Sequence, residues 1–413
     1  MNSRERVLCT MNHQEPDYVP VDFAGHRSSG ISGMAYARLR KHLGLPQKTV
    51  RIFDIVQLLA IVDDDVLDLF GADTIELSRV FSQDDESWQD WVLPDGTPCQ
   101  IPAWVQPEQQ GDEWILRSRS GRVIARLPQT SPYFDQVYFP LEDGRIPGSD
   151  LPDVLAECLW AIPNTPPGPG ARSEAEIQRL VDQVRDFRQN TDRAILGLFG
   201  GSMLERGNQM FGHANYYTML AASPEKVHAF LGVLTEYYLA QLEQFLESFG
   251  PFIDIIAFAD DLGMQTGPQI SPKMFREIFK PYHQRLWRRA KELADVKVML
   301  HSCGSIRAFL PDLIDAGIEA VNPVQISARD MDAIALKHEF GDQIVFWGGG
   351  CDTQQILPHG TPEEIESHVT QQLNTFAPGG GYVFQQVHNI QADVPPENIV
   401  AMYDAVKAYR MHS

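Results

Sequence analysis

A histidine and a cysteine, two positions apart, follow a short apolar run and could bind a metal ion together. Residues 296–300 are typical of a buried strand, and His301 and Cys303 come directly after them. Side chains two apart along a strand point to the same side, and imidazole and thiolate are ligands that zinc prefers. The alternative is a pair of ordinary core residues, since free cysteine is among the most buried residue types.

A second cysteine, Cys351, occupies a similar position after the apolar run 344–347 and three glycines. Three protein ligands with one open position are the pattern of a catalytic zinc site, whereas a structural site of the zinc-finger kind needs Cys-x-x-Cys pairs. We therefore predict that His301, Cys303 and Cys351 hold zinc. The open position would bind a thiol and keep it as a thiolate.

Further polar side chains follow predicted strands and are candidates for catalysis. We predict that Asp260, Asp261 and Glu205 act as a base or as hydrogen-bond partners of the substrate. For the two aspartates the alternative is a solvated loop or a helix cap, because aspartate is common in turns. For Glu205 the alternatives are a surface position on a helix or a further metal ligand.

A third group of residues is predicted to contact the substrate: His26, Arg27, Gln265, Asn322 and His388. His26 and Arg27 lie in a loop between two glycines, where they could hold an anionic group or simply be solvated. His388 could also support a metal ligand through a hydrogen bond or be a satisfied core histidine.

The elements that position these residues alternate in type along the chain. After residue 173 apolar strands alternate with amphipathic helices, and the predicted strands are 194–199, 253–259, 297–301, 318–321, 344–347 and 382–385. Two more strands are predicted earlier, at 18–23 and 73–77, while residues 50–70 have helical spacing. Ser-Pro or Thr-Pro pairs at 223, 271 and 361 predict helix starts.

This order predicts an α/β protein, a (β/α)8 TIM-type barrel with its active site at the C-terminal ends of the strands. The runner-up is a doubly wound open sheet, but no Gly-x-Gly-x-x-Gly opens a helix after a strand. Alternating strands and turn signals predict a β-rich insertion at 88–140. The whole chain, 1–413, is expected to be a single domain.

Composition excludes several classes of protein. The chain has 413 residues, 43% hydrophobic and 22% charged, with a formal charge of −21, which argues against nucleic acid or an anionic membrane as a main partner. It contains no apolar run long enough to span a bilayer and no apolar signal core at its start. The five cysteines are scattered, as expected for free thiols or metal ligands in the cytoplasm.

Several segments resemble the uroporphyrinogen decarboxylase superfamily. They are residues 4–20, 271–282 and 388–398, the last beginning with His388-Asn389-Ile390-Gln391. The resemblance implies a distorted (β/α)8 barrel with a cleft at the strand C-termini. The decarboxylases bind porphyrinogen carboxylates through an N-terminal segment with two arginines, whereas the corresponding loop here, residues 24–29, has only Arg27.

The His-x-Cys…Cys set is similar to the cobamide-dependent methyltransferase branch of that superfamily. In that branch the residues matching His301, Cys303 and Cys351 bind zinc, which activates a thiol acceptor such as coenzyme M. The implied methyl donor is a methylcobamide on a separate small corrinoid protein, because this chain has no Asp-x-His-x-x-Gly cobalamin signature. A homodimer is possible, but the sequence leaves the oligomeric state open.

Three functions are therefore predicted, in this order. The first is a zinc-dependent methyltransferase that moves a methyl group from a methylated corrinoid to a thiol or a similar acceptor. The second is a metal-free decarboxylase of the uroporphyrinogen decarboxylase type, in which Asp260 or Asp261 stabilises a protonated pyrrole. The third is a non-catalytic protein that binds zinc or docks a partner.

Overall fold

The structure is a computed structural model that describes residues 1–82, 84–128, 131–161 and 173–412. Its strands are β1 (Val50–Asp54), β2 (Leu59–Ala60), β3 (Thr74–Glu76), β4 (Trp88–Val92), β5 (Pro98–Pro102), β6 (Glu108–Gln110), β7 (Glu113–Arg117), β8 (Val123–Pro128), β9 (Asp135–Gln136), β10 (Ala194–Gly200), β11 (Ile255–Ala259), β12 (Gly263–Met264), β13 (Gly267–Pro268), β14 (Lys297–His301), β15 (Ala320–Asn322), β16 (Val345–Trp347) and β17 (Tyr382–Val383).

The α-helices are α1 (Ser3–Met11), α2 (Gly33–His42), α3 (Asp64–Phe70), α4 (Leu151–Leu155), α5 (Glu174–Asn190), α6 (Leu204–Phe211), α7 (His213–Ala222), α8 (Pro224–Phe249), α9 (Pro272–Met274), α10 (Lys280–Leu293), α11 (Leu310–Ala316), α12 (Ala333–Phe340), α13 (Ile356–His359), α14 (Pro362–Phe376) and α15 (Pro396–His412). A π-helical turn, Phe275–Phe279, joins α9 to α10. Short 3-10 helices are Arg27–Ser29, Leu77–Ser82, Asp85–Ser87, Leu159–Ala161, Gly250–Phe252 and Arg307–Phe309.

Seven strands form one parallel sheet in the order β17-β16-β15-β14-β11-β10-β3. The segment around Val21 lies between the two outer strands of that sheet. Val21 bridges Phe384 in parallel, and its carbonyl accepts the Asp73 N–H at 2.7 Å. These contacts give an α/β fold consistent with a TIM-type barrel, and the residues predicted as the first strand form only this single bridge.

The alternation of side chains along the strands explains why the sheet curls around a core. Leu196, Ala257 and Met299 belong to a small apolar cluster inside the sheet, together with Trp347. Their neighbours in sequence, such as Ile256, pack outwards against the helices in the main core. Because both faces are covered, the strands read as continuous apolar runs.

Helix α1 closes one end of the inner cluster, since Val7 and Met11 belong to it. The helix is fixed by the buried Arg6, whose guanidinium reaches Asp73 at 2.6 Å and Asp17 at 2.7 Å. The opposite end, where the parallel strands terminate, is left for the polar loops. The fold therefore offers one mouth for a site.

Helices begin at all three Ser-Pro or Thr-Pro pairs, at Pro224, Pro272 and Pro362, and two of the pairs also provide a side-chain cap. Thr361 and Glu364 form a capping box at the start of α14, and the Ser271 hydroxyl accepts the Met274 N–H at 3.1 Å. Ser223 makes no side-chain cap, because its backbone lies at φ −148° and ψ 56° between α7 and α8.

Among the described residues no helix is long and apolar enough to cross a bilayer.

The predicted helix at 50–70 is wrong for most of its length. β1 and β2 occupy its first part, and only α3 is helical. The reason is long-range pairing: β1 pairs in parallel with β5 and antiparallel with β2. The antiparallel strands β4 to β9 form two sheets, of orders β2-β1-β5-β4 and β6-β7-β8-β9. The first of these sheets thus joins the predicted insertion to residues that precede it.

Candidate active site at the barrel mouth

His301 and Cys303 bring their ligand atoms together at the end of β14. The His301 Nε2 and Cys303 Sγ atoms are 3.5 Å apart. In a tetrahedral zinc site, with Zn–S of about 2.3 Å and Zn–N of about 2.05 Å, these atoms are about 3.6 Å apart. The pair therefore fits a zinc ion with little rearrangement.

His388 is the third member of the only group of potential metal ligands found among the described residues. The ligand atoms of His301, Cys303 and His388 all lie within 4.8 Å of one another. His388 was predicted to contact substrate or to support a ligand. The structure places its ring with the centroid 5.8 Å from that of His301.

The predicted third ligand, Cys351, is not part of this group. Its thiol is fully buried in the main core, and it contacts the carbonyl of Asp352 at 3.9 Å. Its backbone carbonyl accepts the Val387 N–H at 2.8 Å, which places His388 beside it at the mouth. The metal role of Cys351 stays a prediction that no contact here supports.

Asn322 orients the His301 imidazole. Its amide nitrogen donates to Gln385 Oε1 at 2.7 Å and to the Trp347 carbonyl at 3.1 Å, so its oxygen faces His301 Nδ1 at 2.8 Å. An oxygen acceptor there keeps the proton on Nδ1 and leaves the Nε2 lone pair free. Asn322 was predicted to contact substrate, but it is wholly buried behind the imidazole.

Ser28 and Gln385 complete this support and were missed in the sequence. The Ser28 hydroxyl donates to Asn322 Oδ1 at 2.6 Å, and Gln385 Nε2 donates to Ser28 at 3.1 Å. Neither residue carries a local signal, since 357 positions separate them. Only closure of the barrel brings them together.

Asp260 lies below the mouth and not at its surface. Its carboxylate is fully buried and accepts the N–H groups of Leu204 at 3.0 Å and Glu205 at 2.8 Å. Its third contact is His283 Nε2 at 2.9 Å. Asp260 therefore caps α6 and positions Glu205, in contrast to the predicted contact with substrate.

Asp261 is the aspartate next to the metal-binding pair. Its Oδ1 accepts the Cys303 N–H at 2.9 Å and lies 3.8 Å from His301 Nε2. Two glycines allow this approach, because a Cβ on Gly304, at φ +81°, would lie 2.4 Å from the carbonyl carbon of Gly263. Asp261 thus faces any ion held there.

The pKa values of the site follow from burial among acidic groups. Burial raises the pKa of the Cys303 thiol, and the neighbouring carboxylates of Asp261 and Glu205 raise it further. Burial, followed by Asp261 and Asp260, raises the pKa of Glu205 to about 8. A bound cation would reverse the effect on Cys303, since coordination deprotonates a thiol.

Burial, followed by the nearby His301, lowers the pKa of His388 to about 4. His26 behaves similarly: burial lowers its pKa well below the usual range, and His301 contributes. The His26 ring centroid lies 5.3 Å from that of His301, so this residue does reach the site. Both imidazoles are therefore neutral at neutral pH.

The two remaining predicted contacts are engaged with protein groups. Arg27 Nε donates to the buried Asp54 carboxylate at 2.8 Å. Gln265 donates to the Ser327 carbonyl at 2.9 Å and accepts from Gln325 at 2.6 Å. These contacts fix the loops around the mouth.

The β-rich segment contributes Tyr133, which was missed in the sequence. Its hydroxyl donates to Asn389 Oδ1 at 2.7 Å, and Asn389 donates to Gln57 at 2.8 Å. Burial raises the Tyr133 pKa to about 12, with a smaller contribution from Cys303. Tyr133 therefore lies beside the metal-binding group, next to His388.

Comparison with known proteins agrees with this architecture. Residues 170–409 match the sequence profile of the family described as Uroporphyrinogen decarboxylase (URO-D). The chain is 27% identical over 252 residues to the uroporphyrinogen decarboxylase of Xanthomonas euvesicatoria pv. vesicatoria, covering 57% of this chain and 66% of that protein. It is 25% identical to that of Psychromonas ingrahamii, covering 58% and 66%.

Among solved structures, a methyltransferase from Methanosarcina mazei is similar over 99% of both chains, with a TM-score of 0.58 and 16% identity. Identity this low establishes a shared fold and nothing more specific. The curated relatives are matched over just under two thirds of their own length. Because the profile covers more than half of the chain, this protein belongs to the uroporphyrinogen decarboxylase (URO-D) family.

Proposed function

We propose that this protein is a zinc-dependent methyltransferase that moves a methyl group from a methylated corrinoid to a thiol or a similar acceptor. The observation that carries the proposal is the approach of His301 Nε2 to Cys303 Sγ at 3.5 Å, at the end of a barrel strand. Imidazole and thiolate at this separation suit zinc. The decarboxylases of the superfamily need no metal, so they do not require a histidine and a cysteine at this separation.

The acceptor would enter the mouth as a thiol and leave as a thioether. Zinc held by His301 and Cys303 would lower the pKa of the acceptor thiol, so that its sulfur attacks as a thiolate. The new bond joins sulfur to the methyl carbon, and the carbon–cobalt bond of the donor breaks with its electron pair left on cobalt. The thiol proton needs an acceptor within the site.

Glu205 is suited to receive that proton. Its pKa is raised to about 8 in the metal-free protein, and a bound cation nearby would lower that pKa, so that the carboxylate form could accept the proton. Asp260 holds the backbone of Glu205 at 2.8 Å, so the carboxyl group is positioned by a buried charge. Asp261 supplies negative charge beside the ion.

The methyl donor is proposed to arrive on a separate small corrinoid protein. Holding donor and acceptor in line removes most of the entropic cost of their encounter. The acidic character of the chain, with a formal charge of −21, predicts a partner whose docking face is basic or neutral.

A second candidate is a decarboxylase of the uroporphyrinogen decarboxylase type, which the names of the sequence relatives favour. That reaction needs cationic groups for several substrate carboxylates. Arg27, the single arginine of the corresponding loop, is paired with Asp54 at 2.8 Å. The buried Asp260 is also committed to α6. These contacts favour the methyltransferase over the decarboxylase.

The deciding experiment incubates the zinc-loaded protein with methylcobalamin and a panel of thiols that includes coenzyme M and homocysteine, together with a pterin. We expect thioether formation that is lost in Cys303→Ser. Conversion of uroporphyrinogen to coproporphyrinogen by the metal-free protein would support the decarboxylase. Zinc binding with neither activity would indicate a non-catalytic zinc protein.

A further inference from the structure

The structure assigns the third metal ligand to His388 instead of Cys351, so that the ion is held by two imidazoles and one thiolate. This assignment deepens the proposed function and rests on it for the presence of a metal. It concerns binding alone and can fail separately from methyl transfer. The observation behind it is that His301, Cys303 and His388 have all their ligand atoms within 4.8 Å of one another.

The three side chains need only small movements to surround an ion. The sulfur and His301 Nε2 are already at 3.5 Å. Two nitrogens on a tetrahedral zinc are about 3.3 Å apart, and no two ligand atoms of the group are more than 4.8 Å apart. A rotation of the His388 side chain would be enough to bring its ring nitrogen to an ion held by the other two residues.

The surroundings orient the His301 imidazole and fix the chain beside His388. Asn322 directs His301 Nε2 towards the site through Nδ1, at 2.8 Å, and a hydrogen bond of this kind is typical of metal-binding histidines. On the other side, Asn389 follows His388 and is itself held by Tyr133 at 2.7 Å and Gln57 at 2.8 Å.

The backbone of Cys351 lies close to that of His388, but its thiol points away from the metal-binding group. Its thiol is fully buried in the main core, with the Asp352 carbonyl at 3.9 Å as its polar contact in the part of the chain that the structure describes. Its backbone is tied to Val387 by the 2.8 Å hydrogen bond from that residue's N–H. Reaching the ion would take the thiol out of the core, whereas His388 is already at the mouth.

The ligand set decides the charge of the site. Zinc with one thiolate and two neutral imidazoles keeps one unit of positive charge, whereas two thiolates and one imidazole neutralise it. An ion with residual charge binds an anionic fourth ligand, such as a thiolate, more strongly. The acceptor class expected at this site is therefore a small thiol that binds as its anion.

The test measures metal binding by the full chain with Zn2+ or Co2+ alone and no methyl donor. We expect one metal per chain in the wild type. His388→Ala should weaken binding by at least about tenfold, and Cys351→Ser should leave it unchanged. His228→Ala is the control for loss of a histidine, because its ring contacts the Tyr282 hydroxyl at 3.0 Å and lies outside the group, and it should bind the metal as the wild type does.

Cobalt absorption provides a second measurement, since thiolate-to-cobalt charge transfer reports the number of bound thiolates. One thiolate is expected, lost in Cys303→Ser and retained in Cys351→Ser. Two thiolates, loss of the metal in Cys351→Ser, or no metal uptake by the wild type would overturn the assignment. If His388→Ala does not fold, the wild-type spectrum and Cys351→Ser decide the question.

Metal bound through His388 without methyl transfer would remove the proposed function and leave this ligand set in place. Methyl transfer by a site with two thiolates would support the proposed function and overturn this ligand set.

Discussion

Replacing Asn322 by alanine should weaken metal binding without touching any ligand. The Asn322 side chain is fully buried, and its oxygen is 2.8 Å from His301 Nδ1. Without that acceptor the imidazole loses the hydrogen bond that keeps its proton on Nδ1. The Nε2 lone pair is then no longer held towards Cys303 in the correct tautomer.

The size of the effect follows from the contacts that are lost. Removing a hydrogen-bond partner of a metal-binding histidine weakens metal affinity by about 10- to 100-fold, or about 1.4–2.7 kcal/mol. Stability should fall as well, because the Trp347 carbonyl and Gln385 Oε1 lose a donor at 3.1 Å and 2.7 Å. The Ser28 hydroxyl and the His301 N–H lose an acceptor. Each buried group left unpaired costs about 1–3 kcal/mol.

Asn322→Asp is the matched variant that separates the two effects. A carboxylate still accepts from His301 Nδ1, so zinc affinity should remain close to that of the wild type. It cannot donate to Gln385 or to the Trp347 carbonyl, so stability should still fall. Zinc affinity is measured by competition with a chelator, and stability by urea unfolding. The reasoning is refuted if folded Asn322→Ala binds zinc as tightly as the wild type.

Three further predictions concern the residues around the pair. Asp260→Asn weakens the cap of α6 and the contact with His283, and should lower the free energy of unfolding by about 1.5–3 kcal/mol in urea; an unchanged value would show that the buried charge is not needed. In the metal-free protein Glu205 has its pKa raised from 4.5 to about 8, so the folded state binds the extra proton and stability should decline as pH rises through that window. Glu205→Gln should flatten this decline, and an identical pH profile in the variant would contradict the assignment. Tyr133→Phe removes the hydroxyl that donates to Asn389 and should cost about 0.5–1.5 kcal/mol of stability with zinc content unchanged; loss of the metal would mean that the phenol takes part in binding it.

Much of the barrel could be predicted because its signals are local. Helix α14 begins with a capping box that needs only Thr361, Pro362 and Glu364, and its predicted start agrees with the structure. The parallel strands are apolar runs bounded by polar residues, so their positions along the chain could be predicted from the sequence. The helix predicted for residues 50–70 was wrong because β1 pairs with β5, about 50 positions away. The spacing of apolar residues within one segment gives no information about such a distant partner.

The sequence by itself determined that a histidine and a cysteine stand together after a buried strand, because a spacing of two residues and a strand end are local facts. Which third group approaches them was decided only by the tertiary structure. Cys351 and His388 lie at the ends of different strand segments, and side-chain direction there depends on packing: the thiol turns into the core and the imidazole towards the mouth. The burial of Asn322 and Asp260 was also decided only by the tertiary structure. It follows from barrel closure and from the docking of α6, and neither of these can be predicted from a single stretch of residues.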